Sequence, residues 1–144
     1  MNTKHITLLL LFAFAALTAC AQAPTEEQAQ TALSERVQKE SKGYIRVINL
    51  TKTNGQEQNF NGQEMYTMHY DVLIEFTKDC YKACDPLNGC FYTYRDCTEQ
   101  EPIGWEAYNK QIKKFKKGQQ IKVTGSSMKF SKTEQGWVAQ KLYR

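Results

Sequence analysis

The chain has 144 residues and a formal net charge of +4, from 19 Lys or Arg against 15 Asp or Glu. That length supports one domain with its own hydrophobic core. The charge is polarised rather than strongly basic: residues 21–101 carry eight basic against thirteen acidic side chains, and residues 102–144 carry ten against two. After the first twenty residues no apolar run approaches the ~20 residues needed to span a bilayer as a helix, so a helical integral membrane domain is not expected.

The first twenty residues read "MNTKHITLLLLFAFAALTAC", with Lys4 as a positive start and twelve apolar or near-apolar residues from Ile6 to Leu17. Such a run is an export signal and is set apart from fold reasoning. Its end, "LTAC" from Leu17 to Cys20, resembles the lipobox of small bacterial lipoproteins. The resemblance implies cleavage before Cys20, acylation of the Cys20 thiol and effectively permanent attachment to a membrane. Ala21, rather than an acidic residue, follows the cysteine, which by the same resemblance implies the outer membrane. The alternative is ordinary cleavage after Ala21 or Ala23, since "ACA" and "AQA" are both small-x-small. The expected division is a signal peptide over 1–19, a short tether over 20–24 and a single α+β domain over 25–144.

Thr25 and Gln28 in "TEEQ" form a capping box ahead of a helix whose apolar positions are Ala29, Ala32, Leu33 and Val37, with Gly43 as its stop. "YIRVINLTKT" reads as a strand, and Asn54-Gly55 and Asn61-Gly62 both read as turn signals. "MYTMHYDVLIEF" alternates: Tyr66, Met68, Tyr70, Val72, Ile74 and Phe76 fall on a core face, with Met65, Thr67, His69, Asp71, Leu73 and Glu75 on the other, mostly wet one. "GWEAYNKQIKKFKKG" reads as a second, amphipathic helix carrying Trp105, Tyr108, Ile112 and Phe115 on one side. The chain then closes as a hairpin around "TEQG", with a bulge expected near Gly125, where the apolar parity changes.

The order α-β-β-loop-α-β-β predicts an α+β domain: an antiparallel sheet of about four or five strands, two helices on one face, and a disulfide-stapled loop insertion. It resembles the broad cystatin-like and NTF2-like folds. A competing reading takes "FKKGQQIKVTG" as the strand entry of a small OB-like barrel, which requires residues 105–117 not to be helical.

"CYKACDPLNGCFYTYRDC" holds Cys80, Cys84, Cys90 and Cys97. Their spacings lack the close pairing of a zinc site, and no C-x-x-C is present for redox or haem chemistry. In an exported chain such thiols pair. "DPLNG" supports a reversal with Cys84–Cys90 inside and Cys80–Cys97 outside, although the outer pair is out of step by three residues.

No cofactor, metal or catalytic residue is expected. His69 is the one histidine after the leader, and its neighbours Thr67 and Asp71 are ordinary decoration of a wet sheet face. Asp71 and Glu75 on that face are the only hint of acid/base work. The expected activity is binding, of a protein or envelope component, through the disulfide-held aromatics Tyr81, Phe91, Tyr92 and Tyr94. Lys110, Lys113, Lys114, Lys116 and Lys117 would form a basic helix face suited to anionic headgroups. Nucleic acid is not an expected partner of an exported, lipid-tethered domain. Alternative readings are a small-ligand pocket lined by Tyr66, Met68, Tyr70 and Trp105, and a secreted hydrolase inhibitor that uses the stapled loop.

Overall fold

The structure, a computed structural model, describes residues 23–84, 97–104 and 110–141. Helix α1 (Glu26–Glu40) starts as the capping box dictates: the Gln28 N–H donates to Thr25 Oγ1 at 3.2 Å, and the Thr25 N–H donates to Gln28 Oε1 at 3.0 Å. Glu26 and Glu27 in its first turn and Lys39 in its last complement the helix dipole. Ala29, Leu33 and Val37, four residues apart, make one fully buried stripe. Gly43, at φ +79°, reverses the chain after the helix, its N–H donating to the Gln38 carbonyl.

Strands β1 (Ile45–Phe60) and β2 (Gln63–Phe76) form a long hairpin. Its turn is Asn61-Gly62, both residues in the left-handed region, as a two-residue type I′ connection requires. The other Asn-Gly pair is not a turn. Asn54 and Gly55 lie inside β1, opposite His69 and Met68. Gly55 is needed there for space, because a Cβ at this position would sit 1.7 Å from Tyr66 Oη.

Along β2 every second residue from Tyr66 to Phe76 is buried, as the alternation predicts. Strands β3 (Cys80–Cys84), β4 (Cys97–Thr98) and β5 (Gln111–Phe115) follow, and β6 (Gln120–Thr133) and β7 (Gly136–Ala139) close the chain as a hairpin. The expected bulge is present. Between the Tyr70–Ser126 and Val72–Val123 pairs, Asp71 alone faces Thr124 and Gly125, and Gly125 has φ +70°.

The described strands form two sheets, ordered β1-β2-β6-β7 and β4-β3-β5. This arrangement is mostly antiparallel sheet with one helix, and it departs from expectation in two respects. Seven strands are described in two sheets, rather than four or five in one. Over 111–115 the expected second helix gives way to β5, whose five residues pair with β3. A helix here would stack Lys110, Lys113, Lys114 and Lys117 on one side at i, i+3, i+4 and i+7, where like charges repel. A strand sends Lys113 and Lys114 to opposite faces and lets Phe115 turn inward. Residues 111–115 are therefore not helical, and 105–109, which the barrel reading also needs free of helix, lie outside the described residues. Even so, among the described residues β1 and β7 remain edges and no barrel closes.

The two sheets meet where β2 passes into β3 and β5 into β6. Phe76 stacks on Phe115 with ring centroids 4.3 Å apart and planes 5° from parallel. The Phe76 N–H donates to the Gln119 carbonyl at 3.0 Å, and the Gly118 N–H donates to the Phe76 carbonyl at 2.7 Å. Asp79 accepts from the Lys117 N–H at 2.8 Å and from Lys116 Nζ at 3.1 Å. Thr77 joins this junction to the end of α1 through the Tyr44 and Gly43 carbonyls.

Gly55→Ala forces its methyl into the ring of Tyr66, which is only 5% exposed and cannot swing clear. A loss of roughly 1–3 kcal/mol is expected in urea unfolding, the usual cost of overpacking. In a Tyr66→Leu background the same change should cost less than half as much. Equal costs in both backgrounds would show that Tyr66 is not the obstacle.

Candidate functional site

The second sheet carries most of the candidate residues that can be described. Cys80 on β3 and Cys97 on β4 are joined by a disulfide, their Cα atoms 5.5 Å apart and 17 residues apart in sequence. This is the outer pairing that the hairpin reading anticipates. Cys84 is also disulfide-bonded, with its partner outside the described residues. The two ends of segment 85–96 are thus both rooted at half-cystines. Cys20, Cys90, Phe91, Tyr92 and Tyr94 lie outside the described residues, as do Trp105 and Tyr108.

Strand β3 alternates strictly. Cys80, Lys82 and Cys84 face inward at 1%, 4% and 1% exposure, while Tyr81 and Ala83 are half-buried on the other side. Lys82 is a buried residue that sequence reasoning passed over, because a lysine in a strand ordinarily reads as wet. The signal was its position, midway between two cysteines at period two.

Tyr81, the described member of the aromatic set, lies under Lys114, whose Nζ is 5.1 Å from the ring centroid. Tyr81 first, and Asp79 more weakly, hold the Lys114 ammonium above its ordinary pKa. Lys110, Lys113, Lys114, Lys116 and Lys117 are all exposed, but they do not share one helical face. Two sit on opposite sides of β5, and Lys116 is paired with Asp79 in the turn. The basic helix expected to meet headgroups is therefore not formed over 111–115.

The polar residues of β2 are tied up locally. Asp71 accepts from Lys122 Nζ at 3.1 Å and from the Gly125 N–H at 3.2 Å, and these bonds, Lys122 foremost, hold its carboxyl below the usual range. Glu75 is lowered likewise, first by Gln120 Nε2 at 2.9 Å and then by Arg46 at 2.7 Å. Four residues apart on one strand, these carboxylates are separated by about 13 Å and do not share a proton. His69 is half-buried opposite Asn54 and Ser127. Among the described residues no group of three or more His, Cys, Asp or Glu is placed to hold a metal ion.

Tyr66, Met68 and Tyr70 are core side chains at 5%, 0% and 4% exposure. The open concavities lie elsewhere. One, of about 490 Å³, runs between the first turns of α1 and β1, past Glu27, Thr31 and Asn49. Another, of about 420 Å³, lies at the far end of the long hairpin beside Trp137.

Comparison with protein families, with curated proteins and with solved structures finds no match to this chain.

Asp79 gives the junction a pH dependence with a definite sign. The Lys117 N–H, and then Lys116, lower its folded-state pKa, so its contribution is full well above the ordinary Asp value of about 3.9 and is lost as pH falls through the lower folded value. Asp79→Asn should therefore melt below the parent protein at pH 7, with the two curves converging as the solution is taken towards pH 2. A gap that persists unchanged in acid would mean the carboxylate charge contributes nothing.

Proposed function

We propose that this protein is a non-enzymatic lipoprotein of the cell envelope. In this reading it is exported, anchored through acylated Cys20, directed to the outer membrane by its Ala21 signal, and binds a protein or envelope component through the segment between Cys84 and Cys97. The observation that supports the reading best is the Cys80–Cys97 disulfide together with the oxidised state of Cys84. Paired thiols persist in oxidising compartments, which agrees with a leader that ends in "LTAC".

The tether also fits the reading. Ala23 already packs against the core, so only Ala21 and Gln22 separate the anchoring cysteine from the folded domain. A domain held so close to a lipid surface needs little affinity of its own to stay in the envelope. The aromatic residues of segment 85–96, with Tyr81 at its root, supply contact area of the kind enriched where proteins meet.

Two measurements test the two halves of this reading. The N-terminal peptide recovered from membranes should carry its acyl chains on Cys20; an unlipidated peptide beginning at Gln22 or Pro24 would remove the anchor. Replacing Tyr92 and Tyr94 together with Ala should abolish capture of an envelope partner by the intact lipoprotein while leaving its thermal unfolding unchanged. Undiminished capture would take the binding role away from the segment.

A further inference from the structure

We propose that the groove at the outer end of the four-stranded sheet binds an uncharged pyranose, a neutral hexose or an N-acetylated amino sugar, as one unit of a glycan chain. This site is remote in sequence from segment 85–96 and does not depend on what that segment binds.

The groove exists because the hairpin outruns the helix. Fifteen helical residues cover about 22 Å, whereas the sixteen residues of β1 extend about 50 Å. Helix α1 begins beside Lys52, whose N–H donates to Glu26 Oε1 at 2.7 Å, so residues 53–60 of β1 lie beyond its first turn. At this overhang Glu57, Asn59, Glu64, Lys132 and Trp137 on the helix-side face, with Gln58 and Met65 between them, line a concavity of about 420 Å³, within the size range of small-molecule sites.

Its walls are held in place. Trp137 meets Tyr66 edge to face, with centroids 6.0 Å apart and planes at 62°, and Tyr66 is seated on Gly55. Lys132 is ion-paired with Glu64, and its Nζ lies 5.8 Å from the Trp137 ring centroid. Asn59 Oδ1 accepts from the Gly62 N–H at 3.0 Å, which fixes the amide and leaves its Nδ2 hydrogens as donors. The Glu57 carboxylate has no bonding partner among the described residues and remains an acceptor.

A pyranose ring fits this set. Each hydroxyl both donates and accepts, so it can use the Asn59 amide and the Glu57 carboxylate together. Its C–H face, and the methyl of an N-acetyl group, suit the indole of Trp137. With the Glu64–Lys132 pair internally neutral, Glu57 leaves the groove at −1, which disfavours phosphorylated or sulfated ligands.

The test uses the full-length protein in sugar-free zwitterionic detergent. Trp105→Phe leaves Trp137 as the only tryptophan, since the chain has two. A β-1,4-linked N-acetylglucosamine tetramer, a β-1,4-linked glucose tetramer and glucose 6-phosphate are titrated against its fluorescence. A saturable change with either tetramer is expected, weakened about tenfold or more by Glu57→Gln and by Asn59→Asp. Asn59→Asp keeps the acceptor for Gly62 but removes the donor, and both positions are exposed, so the unfolding temperature should not move. The proposal is overturned if neither tetramer saturates, if only the phosphorylated sugar binds, or if both variants bind as the parent does.

Discussion

The stack of Phe76 on Phe115 is the contact on which the arrangement of the two sheets depends. Strand β2 ends at Phe76 and strand β5 at Phe115, so one ring pair joins the last residue of the central strand to the last residue of the second sheet's edge. The backbone bonds from Phe76 to Gly118 and Gln119 hold the rings in register, and Asp79 closes the adjoining turn onto Lys116 and Lys117. Thr77 then carries the same junction to the end of α1. Helix, first sheet and second sheet thus converge on four consecutive residues, Phe76 to Asp79. Displacing either ring would leave β3 and β5 paired with each other but without a fixed direction relative to β2.

A second constraint is the long edge that β1 presents. An unpaired edge invites strand addition, and among the described strands β1 has β2 on one side only. The first turns of α1 blunt it. Gln30 acts as a detached peptide group, its Nε2 donating to the Ile48 carbonyl at 3.5 Å while its Oε1 accepts from the Leu50 N–H at 3.3 Å, and Glu26 takes the Lys52 N–H. Register shifts between Val47 and Asn49 and between Lys52 and Asn54 bend this strand further. Polar residues on the helix therefore do work that the narrow apolar stripe of Ala29, Leu33 and Val37 does not. They also mark where helical cover stops and the open groove begins.

How much of this was legible follows from how local each signal is. The capping box, the Asn61-Gly62 turn, the alternation of β2 and the Gly125 bulge each depend on a few neighbouring residues, and each reads correctly. Asn54-Gly55 misleads because its glycine answers a distant demand, the ring of Tyr66, which no window around residue 55 contains. Gln111–Phe115 misleads because Ile112 and Phe115, three apart, satisfy a helix as well as an edge strand. The choice between them rests on β3, some thirty residues earlier. The groove was invisible for the same reason: Glu57, Glu64 and Lys132 look like scattered surface charges until the hairpin and β6–β7 bring them beside Trp137.

The disulfides sit where burial contributes least. The first sheet packs Tyr66, Met68, Val72, Ile74, Phe76, Met128 and Phe130 against the helix, whereas the inward residues of the second are Phe115, Lys82 and the cysteines themselves. Among the described residues of this sheet one buried phenylalanine contributes roughly 1.5–3 kcal/mol, too little to order three short strands at about 1 kcal/mol or more per residue. A crosslink across 17 residues contributes about 3 kcal/mol by restricting the unfolded chain, and the bond at Cys84 adds to it. The second sheet thus depends on oxidation for order that the first obtains from its core. A sheet built this way suits a compartment where thiols stay paired.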